Sequence, residues 1–168
     1  KNFALAKANH DFVVSLDGDE SLSKELQDSI KSLKSNWNFD GYYCNRFNNF
    51  CGQWIKYSDW YPNRKLRVFD RRLGEWTGIN PHDTIVLHNK NANTGQLKGN
   101  ILHKTYQSYS EFNQKTEYFS TIAAQAYFDK GKKASLWKII LNPTWAFFKS
   151  YILRLGVLDG FNGFVICI

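Results

Sequence analysis

Apolar residues at 12–16 (FVVSL) form a short unbroken run between the turn-forming Asn9-His10-Asp11 and an acidic stretch, and predict a buried strand. Residues 2–8 ahead of it read as the end of a helix. Beyond the acidic stretch, Leu22, Leu26, Ile30 and Leu33 recur at helical spacing as one stripe of an amphipathic helix, with Ser21 as its predicted N-cap. Alternation at 41–47 and 65–69 predicts strands, and shorter candidates follow at 84–87 and 100–103. From Ser110 the pattern turns helical: one helix over 111–128 broken at Gly131, a second over 134–141 stopped by Asn142-Pro143, and a third over 145–155. The order helix, strand, helix predicts an α/β layer over residues 1–108, followed by a helical extension over 109–168.

The chain has 168 residues, 43% hydrophobic and 22% charged, enough for one independently folding core and unlike a disordered segment. Its 17% aromatic content suits a large core, a sugar-binding cleft or a membrane-interface belt, and ranks none of them. A formal charge of +7 favours anionic partners, with plain solubility as the alternative. Three cysteines without C-x-x-C spacing indicate neither a disulfide framework nor a zinc site, so a reducing cytoplasm is the expected compartment. The opening residues are too interrupted for a signal peptide, and there is no methionine. The sequence reads as a piece of a longer protein.

The helical region is both basic and aromatic. Trp137, Trp145, Phe147, Phe148 and Tyr151 sit among Lys132, Lys133, Lys138, Lys149 and Arg154, a mixture suited to a lipid headgroup layer or, alternatively, to an ordinary packing helix with a solvated basic face. Lys149, Arg154 and Asp159 interrupt any run long enough to span a bilayer.

The acidic stretch Asp17-Gly18-Asp19-Glu20 gathers three carboxylates at the carboxyl end of a predicted strand, where ligands bind in α/β sheets. On an extended backbone Asp17 and Asp19 would point to one side and could hold one divalent cation against a phosphate-bearing substrate. A solvated turn and a charged helix start are the competing readings. An EF-hand is excluded, because Leu22 stands where that loop needs glycine.

With Lys1-Asn2-x-Ala4 ahead of it, DFVVSLDGDE resembles the corresponding stretch of the family 2 inverting glycosyltransferases of the GT-A fold. Further blocks are similar in order and spacing to the bacterial lipopolysaccharide-core β-glucosyltransferase subfamily: Trp60-Tyr61-Pro62-x-x-Lys65-x-Arg67-x-Phe69, Gly74-x-Trp76, His82-Asp83, Leu102-His103-x-Thr105-Tyr106, and the stretch Ser150 to Gly160. The resemblance runs over essentially the whole chain. It implies a partial GT-A, Rossmann-like mixed sheet lacking its first strands, with basic and aromatic helices after it.

By that resemblance Asp17 and Asp19 are the D-x-D pair that holds Mg²⁺ or Mn²⁺ against the diphosphate of a nucleotide sugar, and His103 joins the metal shell; spacing alone favours a strand-end histidine satisfied by backbone for His103. Asp83 matches the catalytic base, where the subfamily usually carries glutamate; a turn after Pro81 is its alternative, and Asp59 the fallback candidate. Lys65 and Arg67 are implied phosphate or acceptor contacts, or else a solvated strand face. Trp54, Trp60, Tyr61 and His82 are candidate sugar and acceptor contacts, with core packing the alternative for the aromatics. The implied partners are a UDP-hexose donor and a glycan or lipid-linked acceptor, with no nucleic acid, at the cytoplasmic face of the bacterial inner membrane. A basic binding module and a membrane-surface scaffold are the non-enzymatic readings.

Overall fold

The computed structural model describes residues 1–78 and 83–168. In chain order its regular elements are α1 (Asn2–Ala6), β1 (Phe12–Val14), β2 (Glu20–Leu22), α2 (Lys24–Ser32), β3 (Gly41–Phe50), β4 (Gln53–Trp54), β5 (Asn63–Asp70), β6 (Gly74–Thr77), β7 (Thr84–Leu87), β8 (Thr94–Tyr106), α3 (Tyr109–Asp129), α4 (Leu136–Phe147) and α5 (Gly160–Cys167). Short 3₁₀ turns occupy Ser58–Trp60 and Gly156–Asp159, and a π-helical stretch, Phe148–Leu153, continues α4. The architecture is α/β and consistent with a partial Rossmann-like layer. A main sheet runs in the order β1-β5-β3-β8-β2, with β4 beside β3, and β6 and β7 form a separate ribbon.

Two compact units make up the chain: Lys1–Phe47 with Asn63–His103, and Asn48–Pro62 with Lys104–Ile168. The second therefore combines the helical region with a segment from the middle of the sequence.

In the first unit, α2 lays the predicted stripe against the sheet. Leu26 is fully buried with Tyr42, Cys44, Val68, Leu97 and Ile101, while Leu22, Ile30 and Leu33 pack at the edge of this cluster. Burying a leucine of this kind contributes about 2–3 kcal/mol. The N-cap is Ser23 rather than Ser21, its hydroxyl accepting from the Leu26 N–H at 3.2 Å, because residues 20–22 form strand β2 instead of the helix start. The approach of α2 to β8 depends on Gly99, whose φ is +90° and where a Cβ would stand 2.8 Å from Leu26 Cα. A second cluster, Leu66, Phe69 and Ile85, gathers Leu5, Val13, Trp76 and Leu87.

Strand β1 differs from expectation. It is three residues long, sits at an end of the sheet order, and leaves Phe12 and Val14 exposed rather than buried. It pairs antiparallel with β5, Phe12 opposite Asp70 and Val14 opposite Val68.

The second unit is built around Phe50, fully buried, with the rings of Trp60, Tyr106, Tyr109 and Phe112 edge-on to it at 5.1–5.9 Å. Asp159 ties the C-terminal segment to residues 53–57: its carboxylate accepts from the backbone N–H groups of Lys56 and Tyr57, and its carbonyl from Gln53 Nε2. Pro143 does not stop the second predicted helix; it lies inside α4, which runs on from 136 to 147 and absorbs the start of the predicted third helix.

Candidate functional site

The acidic stretch is not extended. The Glu20 N–H donates to the Asp17 carbonyl at 3.0 Å, closing a turn over Gly18 and Asp19, and the Asp17 N–H donates to Glu20 Oε2 at 3.0 Å. The three carboxylates consequently find different partners. Arg67 Nη2 donates to both Asp17 Oδ2 (3.0 Å) and Glu20 Oε1 (3.2 Å), and Arg46 Nη1 stands 3.7 Å from the same Glu20 oxygen. Lys1 Nζ lies 3.0 Å from Asp17 Oδ1 and 3.1 Å from Asp83 Oδ2, bridging the two aspartates. Asp19 Oδ2 is 3.1 Å from His103 Nε2, brought there by the β2–β8 register that sets Glu20 opposite His103. The repulsion expected of clustered carboxylates is thus offset by the protein's own cations.

Two features of the sequence hold this arrangement in place. Asn2 exchanges a pair of 2.9 Å hydrogen bonds with the backbone of Trp76, fixing α1 to β6 and setting the Lys1 ammonium 4.1 Å from the Trp76 ring centre. Lys65 and Arg67, two apart on β5, share a strand face. With Lys1, Arg46, Asp17 and Asp83 they line a cavity of about 390 Å³ in the first unit. Four cations and two carboxylates make its wall positive by two charges, an excess Glu20 reduces to one.

Arg67 is buried, 5% of its side-chain surface exposed, so the solvated-face alternative does not hold for it. Its Nε and Nη1, together with Arg46 Nε and Asn45 Oδ1, are buried without a hydrogen-bond partner. A buried guanidinium with unmet donors on a cavity wall is a candidate contact for an anionic ligand.

The same contacts shift the protonation of the charged groups. Burial alone would push Asp17 up, but hydrogen bonds from Lys1 and Arg67 outweigh it and hold the carboxyl below its ordinary range. Burial works against the Lys1 ammonium, and Asp17 and Asp83 overcome it, raising its pKa. Lys65 is lowered by burial and by the nearby charges of Arg46 and Arg67, a crowding that a bound anion would relieve. His103 is lowered by burial and by Arg46, against the opposing pull of Asp19, which favours the neutral imidazole that ligates metals.

Of the expected metal set, only Asp19 and His103 are brought together. Among the described residues no group of three or more His, Cys, Asp or Glu side chains is placed to hold a metal ion, and Asp17 is occupied by Lys1 and Arg67. A two-ligand site of carboxylate and imidazole, completed by substrate phosphate oxygens, fits these residues; a three-ligand cage does not.

Asp83 stands immediately before β7 and is about one-third exposed, at 29% of its side chain. His82 lies outside the described residues. Trp54, Trp60 and Tyr61 belong to the second unit, where Trp60 packs on Phe50 and Tyr106. Asp59, also there, is committed to Ser150 Oγ at 2.7 Å and to Arg154. Sequence reasoning missed Lys1, Glu20 and Arg46 as members of the charge cluster. Glu20 had a signal, as the third carboxylate of the acidic stretch; Arg46 had none, because it joins the cluster only through the folded chain, by its contact with Glu20.

No protein-family model matches the chain. It is 29% identical over 178 residues to an uncharacterized glycosyltransferase of Rickettsia prowazekii (strain Madrid E), a similarity covering 98% of this chain and 60% of that protein. To uncharacterized glycosyltransferases of Rickettsia felis (strain ATCC VR-1525 / URRWXCal2) and Rickettsia bellii (strain RML369-C) it is 26% and 28% identical, over 98% of this chain and 62% and 59% of theirs. The chain therefore spans about three fifths of the length of the curated relatives it matches. Similarity spread through 98% of the chain, to proteins that share one name, supports a glycosyltransferase.

Proposed function

We propose that this chain is part of an inverting glycosyltransferase, of the family 2 and GT-A type, that moves a hexose from UDP-glucose or a related UDP-hexose to a lipopolysaccharide-core or related glycan acceptor. The observation that carries the reading is the half-satisfied Arg67 guanidinium on the wall of the positive cavity. A diphosphate supplies the acceptor oxygens that Arg67 lacks, and the lowered Lys65 adds a second contact. In the reaction the acceptor hydroxyl attacks the anomeric carbon from the face opposite the diphosphate. Its proton passes to Asp83, the new C–O bond forms, and the sugar–phosphate bond breaks with its electron pair leaving on the nucleotide diphosphate.

Lys1 orients Asp83 for that step by tying it to Asp17. Mg²⁺ or Mn²⁺, entering with the donor, would be held by Asp19 and His103 and would offset charge on the leaving diphosphate. Trp54, Trp60, Tyr61 and His82 are proposed acceptor contacts, and the cytoplasmic face of a bacterial inner membrane the proposed location.

The test is turnover by the full-length protein with UDP-glucose and a lipopolysaccharide-core acceptor. Proton NMR of the product should report an anomeric configuration opposite to the donor's, and Lys65→Ala should weaken UDP binding by about tenfold or more, as loss of a charged hydrogen bond does. UDP binding indifferent to Lys65→Ala, or a product that retains configuration, would reject the reading.

A further inference from the structure

Every residue of α4 from Leu136 to Ala146 is exposed, although the helix is among the most apolar parts of the chain. Leu136 is 78%, Trp137 73%, Ile140 61% and Trp145 59% exposed. At 100° per residue, Leu136, Trp137, Ile139, Ile140, Leu141 and Trp145 spread around most of the circumference, and Lys138 and Asn142, four residues apart, form a narrow polar stripe. A helix apolar on nearly all sides is covered by something.

The chemistry around it says what. From Lys130 to Leu158 the chain carries six basic residues, Lys130, Lys132, Lys133, Lys138, Lys149 and Arg154, and no acidic one. Tyr127 and Phe128 at the end of α3 are exposed too, and Lys132 stands 4.7 Å from the Tyr127 ring centre. Exposed tryptophans with an apolar helix and a one-sign charge fringe complement a layer that is greasy below and anionic above. A protein surface would need acidic residues over so many cations and apolar residues over three sides of one helix.

We propose that α4 and its flanking segments seat this protein on an anionic phospholipid bilayer, α4 lying at the boundary between headgroups and acyl chains with the lysines at the lipid phosphates. Among the described residues no single helix is long and apolar enough to cross a membrane. Leu136–Leu153 and Gly156–Cys167 reach that length and composition only as a pair bent by 73°. The inference stands on the second unit alone and does not depend on the glycosyltransferase reading.

Flotation of the full-length protein with vesicles of phosphatidylcholine alone, and of an equal mixture of phosphatidylcholine and phosphatidylglycerol, tests it. Binding to the mixed vesicles is expected, weakened by high salt, with fluorescence of Trp137 and Trp145 quenched by brominated acyl chains. Lys132→Gln and Lys133→Gln should each reduce affinity about fivefold, and Ile140→Asp by about tenfold or more. Ile140 touches no core, so an unchanged circular dichroism melt confirms that the variant folds. Equal binding to both vesicle types, unquenched tryptophans, a dimer dissolved by Ile140→Asp, or slow amide exchange across α4 without lipid would each overturn the proposal; the last two would assign the face to a second copy or to another part of the same protein.

Discussion

The Arg67 guanidinium and the Glu20 carboxylate meet at 3.2 Å within the first unit, with 5% and 0% of their side-chain surfaces exposed. Charges so placed are expensive to desolvate, and such a pair persists where further hydrogen bonds satisfy it, here those from Asp17 N–H to Glu20 and from Arg67 to Asp17. The pair joins β2 to β5, strands at different positions in the sheet order.

Arg67→Ala should therefore destabilise the protein by about 3 kcal/mol, since the buried Glu20 would lose its nearest cation and keep only Arg46 at 3.7 Å and the Asp17 N–H. That corresponds to a fall in melting temperature of roughly 10 °C. The double variant Glu20→Gln/Arg67→Met should recover more than half of the loss in differential scanning calorimetry. A double variant as unstable as the single one would show that the buried charge is not the cause.

Because Asp17 and Glu20 are neutralised by Lys1, Arg46 and Arg67, the fold has no need of a cation at this loop. EDTA should leave the thermal midpoint of the donor-free protein unchanged. A drop of several degrees on chelation would contradict the neutralisation described here.

Asp83→Asn keeps the shape of the side chain and removes its basicity. Turnover should fall about 10²–10⁴-fold while UDP binding, measured by isothermal titration, stays within error. If kcat is retained, the base lies elsewhere, and Asp59, tied to Arg154 and Ser150, does not replace it without breaking those bonds.

Asp70 supplies a pH dependence. Hydrogen bonds from Arg72 hold its carboxyl below the ordinary 3.8, with a smaller opposing push from burial. A carboxyl depressed in the folded state adds stability that is present above its unfolded value and is lost as pH falls through the folded one. Arg72→Ala returns the folded value toward 3.8, so the variant should be less stable than the parent at neutral pH and the gap should close on acidification. Urea midpoints taken at neutral pH and at steps below 3.8 check this; a gap that widens in acid would reverse the sign.

Cys44 is buried in the first core, and burial pushes its thiol up to about 12. Under native conditions at mildly alkaline pH it should resist iodoacetamide while the half-buried Cys51 and Cys167 react. Mass spectrometry of the alkylated chain reads the outcome, and early modification of Cys44 would show the core to be open.

Much of the fold follows from local pattern. Strand β7 occupies the predicted residues 84–87, and the Leu26 stripe faces the core as its spacing requires. Pattern fails where tertiary pairing decides. Glu20 and Leu22 read as a helix start, but hydrogen bonding to β8 makes them a strand and passes the N-cap to Ser23. Pro143 reads as a stop, yet it sits eight positions into an exposed helix, where a carbonyl left without its N–H partner can face water. The family resemblance singles out Asp17, Asp19, Asp83, Lys65 and Arg67, and the structure places four of these, all but Asp19, on one cavity wall. The sequence does not reveal that Lys1 bridges two of those acids, because 16 residues separate Lys1 from Asp17 and 82 from Asp83.

Arg67 closes a charge balance inside the sheet and also stands on the cavity wall. Any screen that scores variants by catalytic output will find this position intolerant without learning which duty was lost. Asp17, Glu20 and Arg67 share one network of contacts, so a change at any of them disturbs scaffold and pocket at once.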